Sequence, residues 1–381
     1  MVERKWGWLL RLSAVLACAW ALPRVVCGWE ARGIGRDGDV QLARSVAAQV
    51  TAGVGEASFR TGSARFDGEW AFGTFLMTTL GLGQTVLAHP EQRAALVPAM
   101  EHGVARLIAP ETNAFGTAAW GGRGLDELAR GEGHGYLGYA NLALSMLRLI
   151  APDTAHAALN DELTEALARR LAAAPHGLFE TYPGEAYPPD MSMVAGSIAL
   201  HDCAVGRSER AFMPAFRQAF ARFIDPDSGL LYQAANARSG TPIDEPRGSG
   251  TAIAAYALSF ADEELSRRLY EGIRRQSLDV LGFGMIHEYA RGSTGKGDID
   301  SGPVLFGLGV SATGFALAGA RLYDAQSSFT RLYRTVELFG VPLGDAHGRH
   351  FMSGGPLGNA ILLAMSSASF DWRRACRGAV R

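Results

Sequence analysis

Two kinds of apolar segment alternate along this sequence, and their order limits what the chain can fold into. Segments such as EWAFGTFLMTTLGLGQTVLA are apolar on every side and rich in Gly, Ala and Thr, whereas segments such as PEQRAALVPAMEHGVARLI carry Arg and Glu on one face. A helix that is apolar all round must be buried, and an amphipathic helix can cover it. The order therefore predicts buried inner helices, each followed by an outer helix.

The inner segments recur along the chain at a nearly constant interval of about 50 to 65 residues, which indicates a repeat of helix pairs. An alternating strand pattern is almost absent, so the sequence predicts an all-α protein. The last inner segment has no successor, but VQLARSVAAQVTAG near the start can supply its partner. We expect a closed (α/α)6 toroid that forms one domain over residues 29–381. An open α-solenoid is the alternative. The inner segments start near Glu69, Gly135, Asp190, Ser249, Ser301 and Gly355.

The connections differ in length according to their direction. Short turns such as AHPEQ and GRSE join each inner helix to its outer partner, while long segments such as DPDSGLLYQAANARSGTPIDEPRG lead to the next inner helix. All the long loops should then lie at one end, over the amino ends of the inner helices. Helix amino ends attract negative charge. We therefore expect a crater there that binds an acidic or polyhydroxylated substrate.

The composition excludes several other classes of protein. Apolar residues make up 48% of the 381 residues and charged residues 19%, which is typical of a globular chain rather than a disordered one. The formal net charge is −2, and no dense Lys/Arg run follows the first residues. Nucleic acid is therefore not an expected partner.

Residues 1–28 are predicted to be a signal peptide or an N-terminal anchor. Basic residues precede an apolar run from Leu12 to Leu22, which is short for a membrane span but typical of a leader. We expect a periplasmic or secreted protein, with membrane association through the N-terminus if the leader is retained. Beyond it only Cys203 and Cys376 remain, which fit one bridge or two free thiols.

The segment GEGHGYLGYAN places a candidate proton shuttle at the start of an inner helix. His134 lies there between two glycines, and Tyr136 and Tyr139, which follow it, are candidate substrate-binding residues. Histidine exchanges protons near neutral pH. Packing of this histidine beneath a loop is the alternative.

The segment FETYPGEAYPPDMSM combines acids, aromatic rings and prolines. Aromatic faces stack on sugar rings, so Tyr182 and Tyr187 are candidate binding residues, and Glu185 is a candidate acid/base. Asp190 is placed to cap the following helix; capping and a role at the site are both open.

The segment GKGDIDSGPVLFG supplies the second carboxylate of the predicted pair. Asp298 has no evident structural role there, whereas Asp300 can cap the next helix or bind substrate. Arg247 is the candidate anion clamp. Three further residues complete the predicted site: Glu69 as a catalytic residue, with Trp70 and Glu288 as substrate-binding residues.

Familiar catalytic motifs are missing from the chain. There is no GxSxG, no HExxH, no P-loop and no EF-hand spacing. We therefore expect no metal and no cofactor. Two carboxylates across one cleft are the apparatus of glycoside hydrolysis.

The layout from about Asp39 to Ala368 resembles the (α/α)6 superfamily of six-hairpin glycosidases, polysaccharide lyases and uronate epimerases. The phrases GEWAFGTF, GHGYLGYANLALS and GDIDSGP are similar to those of proteins related to bacterial linalool dehydratase/isomerase. That resemblance implies acid/base chemistry by Asp, Tyr and His together with a cysteine pair, and it carries over to His134. The loop ETYPGEAYPPD, where the cysteines would be expected, contains none.

The function expected from these features is an exported acid/base enzyme of the hydrolase, lyase or epimerase type, acting on a carbohydrate or uronate-like small molecule or oligosaccharide. A hydratase or isomerase for a small alcohol is one alternative. A glycan-binding or scaffold toroid without catalysis is the other.

Overall fold

The computed structural model describes residues 2–29, 31, 38–55, 58–128, 134–290, 292–293, 295–298 and 301–379. Within these ranges the protein is mostly helical, which confirms the all-α class. The α-helices are, in chain order, α1 (Val2–Val26), α2 (Gly38–Gly53), α3 (Ala64–Ala88), α4 (Arg93–Leu107), α5 (Ala114–Trp120), α6 (Leu137–Ile150), α7 (Ala157–Ala173), α8 (Pro188–Ala204), α9 (Met213–Phe220), α10 (Gly248–Leu258), α11 (Glu263–Arg275), α12 (Val310–Leu322), α13 (Gln326–Gly340), α14 (Gly355–Ser366) and α15 (Trp372–Ala379).

Six of these helices form the centre of the protein. Helix α3 contacts α6, α6 contacts α8, α8 contacts α10, α10 contacts α12, α12 contacts α14, and α14 contacts α3 again. The residues of α10 are all buried, and α3, α6 and α8 are buried over most of their length. Helices that are apolar all round therefore occupy the core, as their sequences require.

Neighbouring central helices run in the same direction. Along α14, Leu357 lies beside Gly73 of α3, and further along Leu363 lies beside Gly81. Helices α8 and α10 show the same parallel order, because Pro189 lies beside Gly250 near their starts and Gly196 lies beside Ala257 further along. The amino ends of neighbouring central helices are thus brought to the same end.

Amphipathic helices cover this centre. Helix α4 contacts α3, α7 contacts α6, α11 contacts α10, and α13 contacts α12. Helix α2, from the start of the chain, packs against α14 near its end. This is the partner that the sequence predicted for the last inner helix.

Tyr256 and Gln84 connect two central helices that do not follow each other in the contact series. Tyr256 on α10 donates a hydrogen bond to Oε1 of Gln84 on α3 at 3.1 Å, and both side chains are buried. The Gln84 amide nitrogen donates in turn to the Ala364 carbonyl of α14 at 2.8 Å. The interior between the helices is therefore filled by side chains.

Within the part of the chain that the structure describes, eight short strands interrupt the helical pattern, and the sequence did not predict them. They are β1 (Leu231–Tyr232), β2 (Pro246–Arg247), β3 (Ser277–Val280), β4 (Phe283–His287), β5 (Val304–Leu305), β6 (Leu308–Gly309), β7 (Pro342–Asp345) and β8 (Gly348–Phe351). They pair antiparallel as β1–β2, β3–β4–β6–β5 and β7–β8.

The fifth inner helix does not begin near Ser301, as predicted, because a strand pair occupies the segment before it. Helix α12 begins at Val310, and the segment before it forms the β5–β6 hairpin. Phe306 and Gly307 take φ angles of 54° and 80° at its turn. Two consecutive left-handed residues make a tight hairpin turn that matches the twist of its strands.

Helix α15 closes the fold at the other end of the central helices. It contacts α8, α3 and α6. A disulfide between Cys203, near the end of α8, and Cys376 in α15 holds it there across 173 residues of sequence. Of the two alternatives for these cysteines, the structure therefore has one bridge.

Among the described residues, α3 is the one helix that is long and apolar enough to cross a membrane. In that apolar stretch, 83% is buried inside the protein. This burial is typical of a core helix.

Candidate active site

A hydrogen-bonded group of charged and phenolic side chains joins the start of α3 to the loop before α8. Arg65 Nε donates to Glu69 Oε1 at 3.0 Å, and Arg65 Nη2 lies 3.4 Å from Glu185 Oε2. Tyr182 donates to Glu69 Oε1 at 2.8 Å, and Tyr187 donates to Glu185 Oε2 at 2.7 Å. We call Arg65, Glu69, Tyr182, Glu185 and Tyr187 the carboxylate cluster.

A tight turn in the loop before α8 positions two members of the carboxylate cluster. The Glu185 amide donates to the Tyr182 carbonyl at 2.9 Å, with Pro183 and Gly184 between them. Gly184 has a φ of 77°, the left-handed value that a type II turn needs at its second central position, and proline suits the first. The sequence YPGE therefore forms a rigid corner that directs Tyr182 towards α3.

Solvent reaches the charged members of the cluster. The Arg65 and Glu185 side chains are 39% and 41% exposed, and that of Glu69 is 20% exposed. Tyr182 is buried, with the Arg65 guanidinium 4.1 Å from the centre of its ring. Burial, and then the charge of Glu69, raises the pKa of Tyr182 far above its ordinary value. The phenol therefore stays protonated and acts as a donor.

Asp190 lies behind the cluster in a buried position. Its carboxylate accepts hydrogen bonds from Tyr139 and from Thr181, each at 2.6 Å. Burial raises its pKa to about 6; the two hydrogen bonds oppose the rise, and the nearby Glu69 charge adds to it. Asp190 is the third residue of α8, and Tyr187 takes the capping position without a side-chain cap. Of the two roles left open for Asp190, capping of α8 is therefore not the one that it has in the structure.

His134 is separated from solvent by aromatic rings. Its Nε2 lies 2.9 Å from Glu127 Oε2, and the centre of its ring lies 4.1 Å from that of the Trp120 ring, with the two rings tilted by 34°. On the other side lies Tyr136 at 6.0 Å, which in turn stacks 6.1 Å from Tyr182. The His134 side chain is 2% exposed. Ring contacts through Tyr136 and Tyr182 therefore connect His134 to the carboxylate cluster.

A second charged group surrounds Arg247 at the start of α10. Arg247 forms ion pairs with Asp298 and, at 2.7 Å, with Asp244, and its guanidinium lies 5.6 Å from the Tyr289 ring. Asp298 also closes its own turn, because its Oδ1 accepts from the Ser301 amide at 3.0 Å. Asp298 thus has two structural roles that the sequence did not indicate.

Glu288 belongs to this second group but is enclosed by it. Its side chain is fully buried, and Oε1 accepts the Ser249 hydroxyl at 2.5 Å. Burial raises its pKa to about 7, against the opposing effect of Ser249 and the Arg247 charge. The Glu288 carboxyl group is thus enclosed by the protein in this conformation. It supports the start of α10.

The two groups lie over adjacent helices. The loop before α8 and the loop before α10 are joined by a backbone hydrogen bond from Ala235 to Ala186 at 3.0 Å. The loop before α6 joins them through the Gly135 amide, which donates to the Glu180 carbonyl at 3.1 Å. Polar side chains from several loops therefore gather at the amino ends of the central helices.

The predicted site residues divide according to these groups. The structure brings together Glu69, Tyr182, Glu185 and Tyr187, and places Tyr136, Tyr139 and His134 behind them. It puts Arg247, Asp298 and Glu288 in the second group. Trp70 packs edge-on against Phe59 with ring centres 5.9 Å apart and takes no part in either group. Asp300 lies outside the described residues.

Arg65 is the most important residue that the sequence analysis missed. It stands four residues before Glu69 in α3, the spacing at which side chains on one helix face meet. That spacing is visible in the sequence. It was not used because α3 was expected to begin at Glu69, whereas it begins at Ala64.

No family model matches this chain, and no curated protein matches it.

Proposed function

We propose that the protein is an acid/base enzyme acting on a carbohydrate, and that Glu69 and Glu185 are its pair of carboxylates. The observation that carries the proposal is that one guanidinium, that of Arg65, contacts both carboxylates in a position open to solvent. Asp298, the second carboxylate predicted from the sequence, is held by Arg247 instead. Glu69 takes its place in the proposal.

The separation of the two carboxylates supports hydrolysis of a glycosidic bond. The Glu69 and Glu185 carboxyl groups lie 3.0 and 3.4 Å from nitrogens of the same Arg65 guanidinium, so the two carboxyl groups lie on either side of that one group. Glycosidases use separations of about 5 to 10 Å, the shorter for retention and the longer for inversion. The carboxylate cluster is compatible with that range.

The charges of the cluster favour a neutral sugar over a uronate. Arg65 contributes one positive charge against the two carboxylates, and Arg247 is likewise opposed by Asp244 and Asp298. Neither arginine offers an excess of positive charge for the clamping of an anion. Carboxylates and phenols, however, accept and donate hydrogen bonds to sugar hydroxyls. A neutral polyhydroxylated substrate is therefore the better fit.

The roles of the remaining members follow from their contacts. Glu69 accepts hydrogen bonds from both Tyr182 and Arg65, which fix its position, so Glu69 is the proposed base or nucleophile. Glu185 is the more exposed acid and is the proposed proton donor to the leaving group. Tyr187, whose hydroxyl is bonded to Glu185, orients that carboxyl group.

The proposal includes a toroidal (α/α)6 fold. Its support is the series of contacts that returns from α14 to α3, together with the parallel direction of neighbouring central helices. In such a fold the amino ends of all inner helices lie at the same end of the toroid. The joined loops before α6, α8 and α10 support this arrangement.

The proposal also places the enzyme outside the cytoplasm, in association with a membrane. The disulfide between Cys203 and Cys376 supports an oxidising compartment. The surface of α1 supports the membrane, because large apolar side chains are exposed along it: Trp8, Leu12, Val15, Leu16, Trp20, Leu22, Val25 and Val26.

The test is a screen of neutral oligosaccharides and uronates against the purified protein, followed by single substitutions. Glu69→Gln and Glu185→Gln should each lower kcat by at least about a hundredfold, since acid/base groups contribute about 10² to 10⁴. Glu271→Gln, at an exposed ion pair on α11, is the matched control. Full activity in both site variants would remove the assignment. Turnover of a small alcohol with all sugars inert would favour a hydratase or isomerase.

A further inference from the structure

The exposed large apolar side chains of the protein are concentrated in one part of the chain. Beyond α1 and Trp29, every such side chain within the described ranges lies between residues 280 and 352, apart from Val205 and Ile243. They come from the segments before α12 and α14, the first residue of α12 and the last turn of α13. Only residues 323–325 join α12 to α13, so the two helices are antiparallel and the end of α13 lies beside the start of α12. The exposed apolar surface therefore lies at the amino ends of α12 and α14.

Two hairpin turns and the end of α13 form the most prominent part of this surface. Arg334 on α13 donates a hydrogen bond to the Gly282 carbonyl at the β3–β4 turn at 3.4 Å, and Leu338 lies one turn further along the same face of α13. The β5–β6 turn belongs to the same sheet as the β3–β4 turn, and its Phe306 is 98% exposed. We call the following residues the apolar rim: Val280, Leu281, Leu305, Phe306, Leu338 and Val341.

Three residues of the apolar rim have a backbone conformation that is unfavourable for them. Leu281, Phe306 and Val341 take φ angles of 55°, 54° and 54°. Bulky and β-branched residues rarely adopt such values. In both hairpin turns a glycine follows, and Asn-Gly is the sequence that this turn favours. The chain therefore has exposed apolar side chains where asparagine would be more stable, and residues in unfavourable conformations cluster at functional sites.

Helix α1 ends beside the apolar rim. Arg24 donates a hydrogen bond to the Leu281 carbonyl, and Arg334 Nε donates to the Cys27 carbonyl at 3.2 Å. The Arg24 guanidinium also lies 3.8 Å from the centre of the Trp20 ring. Tryptophan and arginine side chains are favoured where a membrane meets water. The exposed apolar surface of α1 is thus continuous with the apolar rim, and its interfacial residues lie next to Leu281.

We propose that the apolar rim docks on a lipid bilayer, with the β3–β4 and β5–β6 turns inserted among the lipid headgroups. A bilayer accepts side chains that protrude from separate turns, because it needs no complementary shape. The connection to α1 favours a bilayer over a second copy of the chain. The proposal goes beyond membrane association through α1, because the globular part makes a contact of its own. The amino ends of α12 and α14 then face the bilayer.

The first experiment measures which part of the full chain meets the bilayer. A polarity-sensitive fluorophore is attached to a single cysteine in each of three proteins. One carries Leu305→Cys in the apolar rim, and one carries Ala155→Cys, an exposed position between α6 and α7 at the opposite end. Both also carry Cys18→Ser/Cys27→Ser, which removes the free thiols. The third carries only Cys27→Ser and is labelled at the natural Cys18 on α1.

The three probes distinguish the apolar rim from α1. On vesicles of equal parts phosphatidylcholine and phosphatidylglycerol, fluorescence at positions 305 and 18 should rise and shift to the blue, and fluorescence at position 155 should stay unchanged. A response at position 18 without one at position 305 overturns the proposal and leaves membrane association through α1 intact. No response at either position overturns both. A blue shift at position 305 that grows with protein concentration in the absence of vesicles shows that a second copy covers the apolar rim, and it overturns the proposal as well.

The second experiment removes the two apolar side chains without harming the turns. Leu281→Asn/Phe306→Asn gives both hairpins the favoured Asn-Gly turn, so thermal unfolding should show equal or higher stability. Partitioning onto the same vesicles should fall by at least about tenfold, because the burial of two large apolar side chains is lost. Val205→Asn, at an exposed apolar residue at the end of α8, is the control and should partition as the natural protein does. Unchanged partitioning of the double variant, or an equal loss in the control, contradicts the proposal.

Discussion

Tyr182 donates its phenolic hydrogen to Oε1 of Glu69, a residue that precedes it by 113 positions in the chain, at 2.8 Å. This bond ties the turn before α8 to α3. It also keeps the ring of Tyr182 beneath the Arg65 guanidinium, so one phenol determines the position of both charges on α3. The geometry of the proposed site therefore depends on contacts between distant segments rather than on one motif.

The first prediction concerns this bond. Tyr182→Phe keeps the ring stacked between Arg65 and Tyr136 but removes the donor, so stability should fall by about 1 kcal/mol and kcat/KM by about tenfold. Urea unfolding of Tyr182→Phe, Glu69→Gln and the double variant should give a coupling energy of about 1 kcal/mol. Tyr323→Phe, which loses a hydroxyl bonded to Ser266 far from the site, should retain full activity. Additive effects of Tyr182→Phe and Glu69→Gln would contradict the prediction.

The second prediction concerns the buried carboxyl of Asp190. Its pKa is raised from 3.8 to about 6, mainly by burial. The folded protein therefore holds this proton more tightly than the unfolded chain does. The resulting stability is complete in acid, and it is lost as the pH rises through about 6. The shift corresponds to about 3 kcal/mol.

Asp190→Asn does not titrate and removes this dependence. Between about pH 4 and pH 7, the free energy of unfolding of the natural protein should fall relative to that of the variant by up to about 3 kcal/mol. Urea unfolding of both proteins across this range measures the difference. Glu288, whose pKa is raised to about 7, titrates in both proteins, so its contribution cancels when the two free energies are subtracted. Parallel profiles would show that Asp190 has an ordinary pKa.

The order of the helices was accessible from the sequence because burial follows directly from side-chain pattern. The all-round apolar segments of α3, α8 and α10 are buried, and the late inner helix α14 packs against α2 as expected. The β3–β4 and β5–β6 hairpins were missed because their turns use Leu281–Gly282 and Phe306–Gly307 rather than Asn-Gly or Asp-Gly. Large residues rarely adopt positive φ, so composition gives no warning of such turns.

The site was only partly accessible from the sequence, and for a different reason. A loop rich in acids and aromatic rings indicates polar chemistry, and Glu185, Tyr182 and Tyr187 of that loop do lie in one hydrogen-bonded group. Which distant charge each residue meets depends on packing. Glu185 and Asp298 looked equivalent in the sequence, yet one contacts Arg65 and the other Arg247. The contact between Arg65 and Glu69 could have been predicted, because the two residues lie four positions apart on one helix.

The third prediction tests the close packing of α8 on α10. A Cβ added at Gly196 would lie 2.4 Å from the Ala257 carbonyl oxygen, which is backbone and cannot rotate away. Gly196→Ala should therefore destabilise the protein by about 1 to 3 kcal/mol, as overpacking does. Gly314 lies in the central helix α12 with nothing within 4 Å of an added Cβ. Gly314→Ala should be neutral or stabilising by up to about 1 kcal/mol. Equal changes in thermal stability for Gly196→Ala and Gly314→Ala would contradict the tight contact between Gly196 and Ala257.

The fourth prediction concerns the disulfide that fastens α15 across the base of α8, α3 and α6. The double variant Cys203→Ser/Cys376→Ser removes a disulfide between residues 173 positions apart. A disulfide that closes a long loop restricts the unfolded chain most. The free energy of unfolding should fall by about 2 to 5 kcal/mol, and a reducing agent should destabilise the natural protein to the same extent. Cys18→Ser, at an exposed free thiol, is the control and should change nothing. The activity proposed for Glu69 and Glu185 should survive in the folded variant, because the bridge lies at the opposite end of α8 from the carboxylate cluster. Loss of activity without loss of stability would show that α15 acts on the site rather than on the fold.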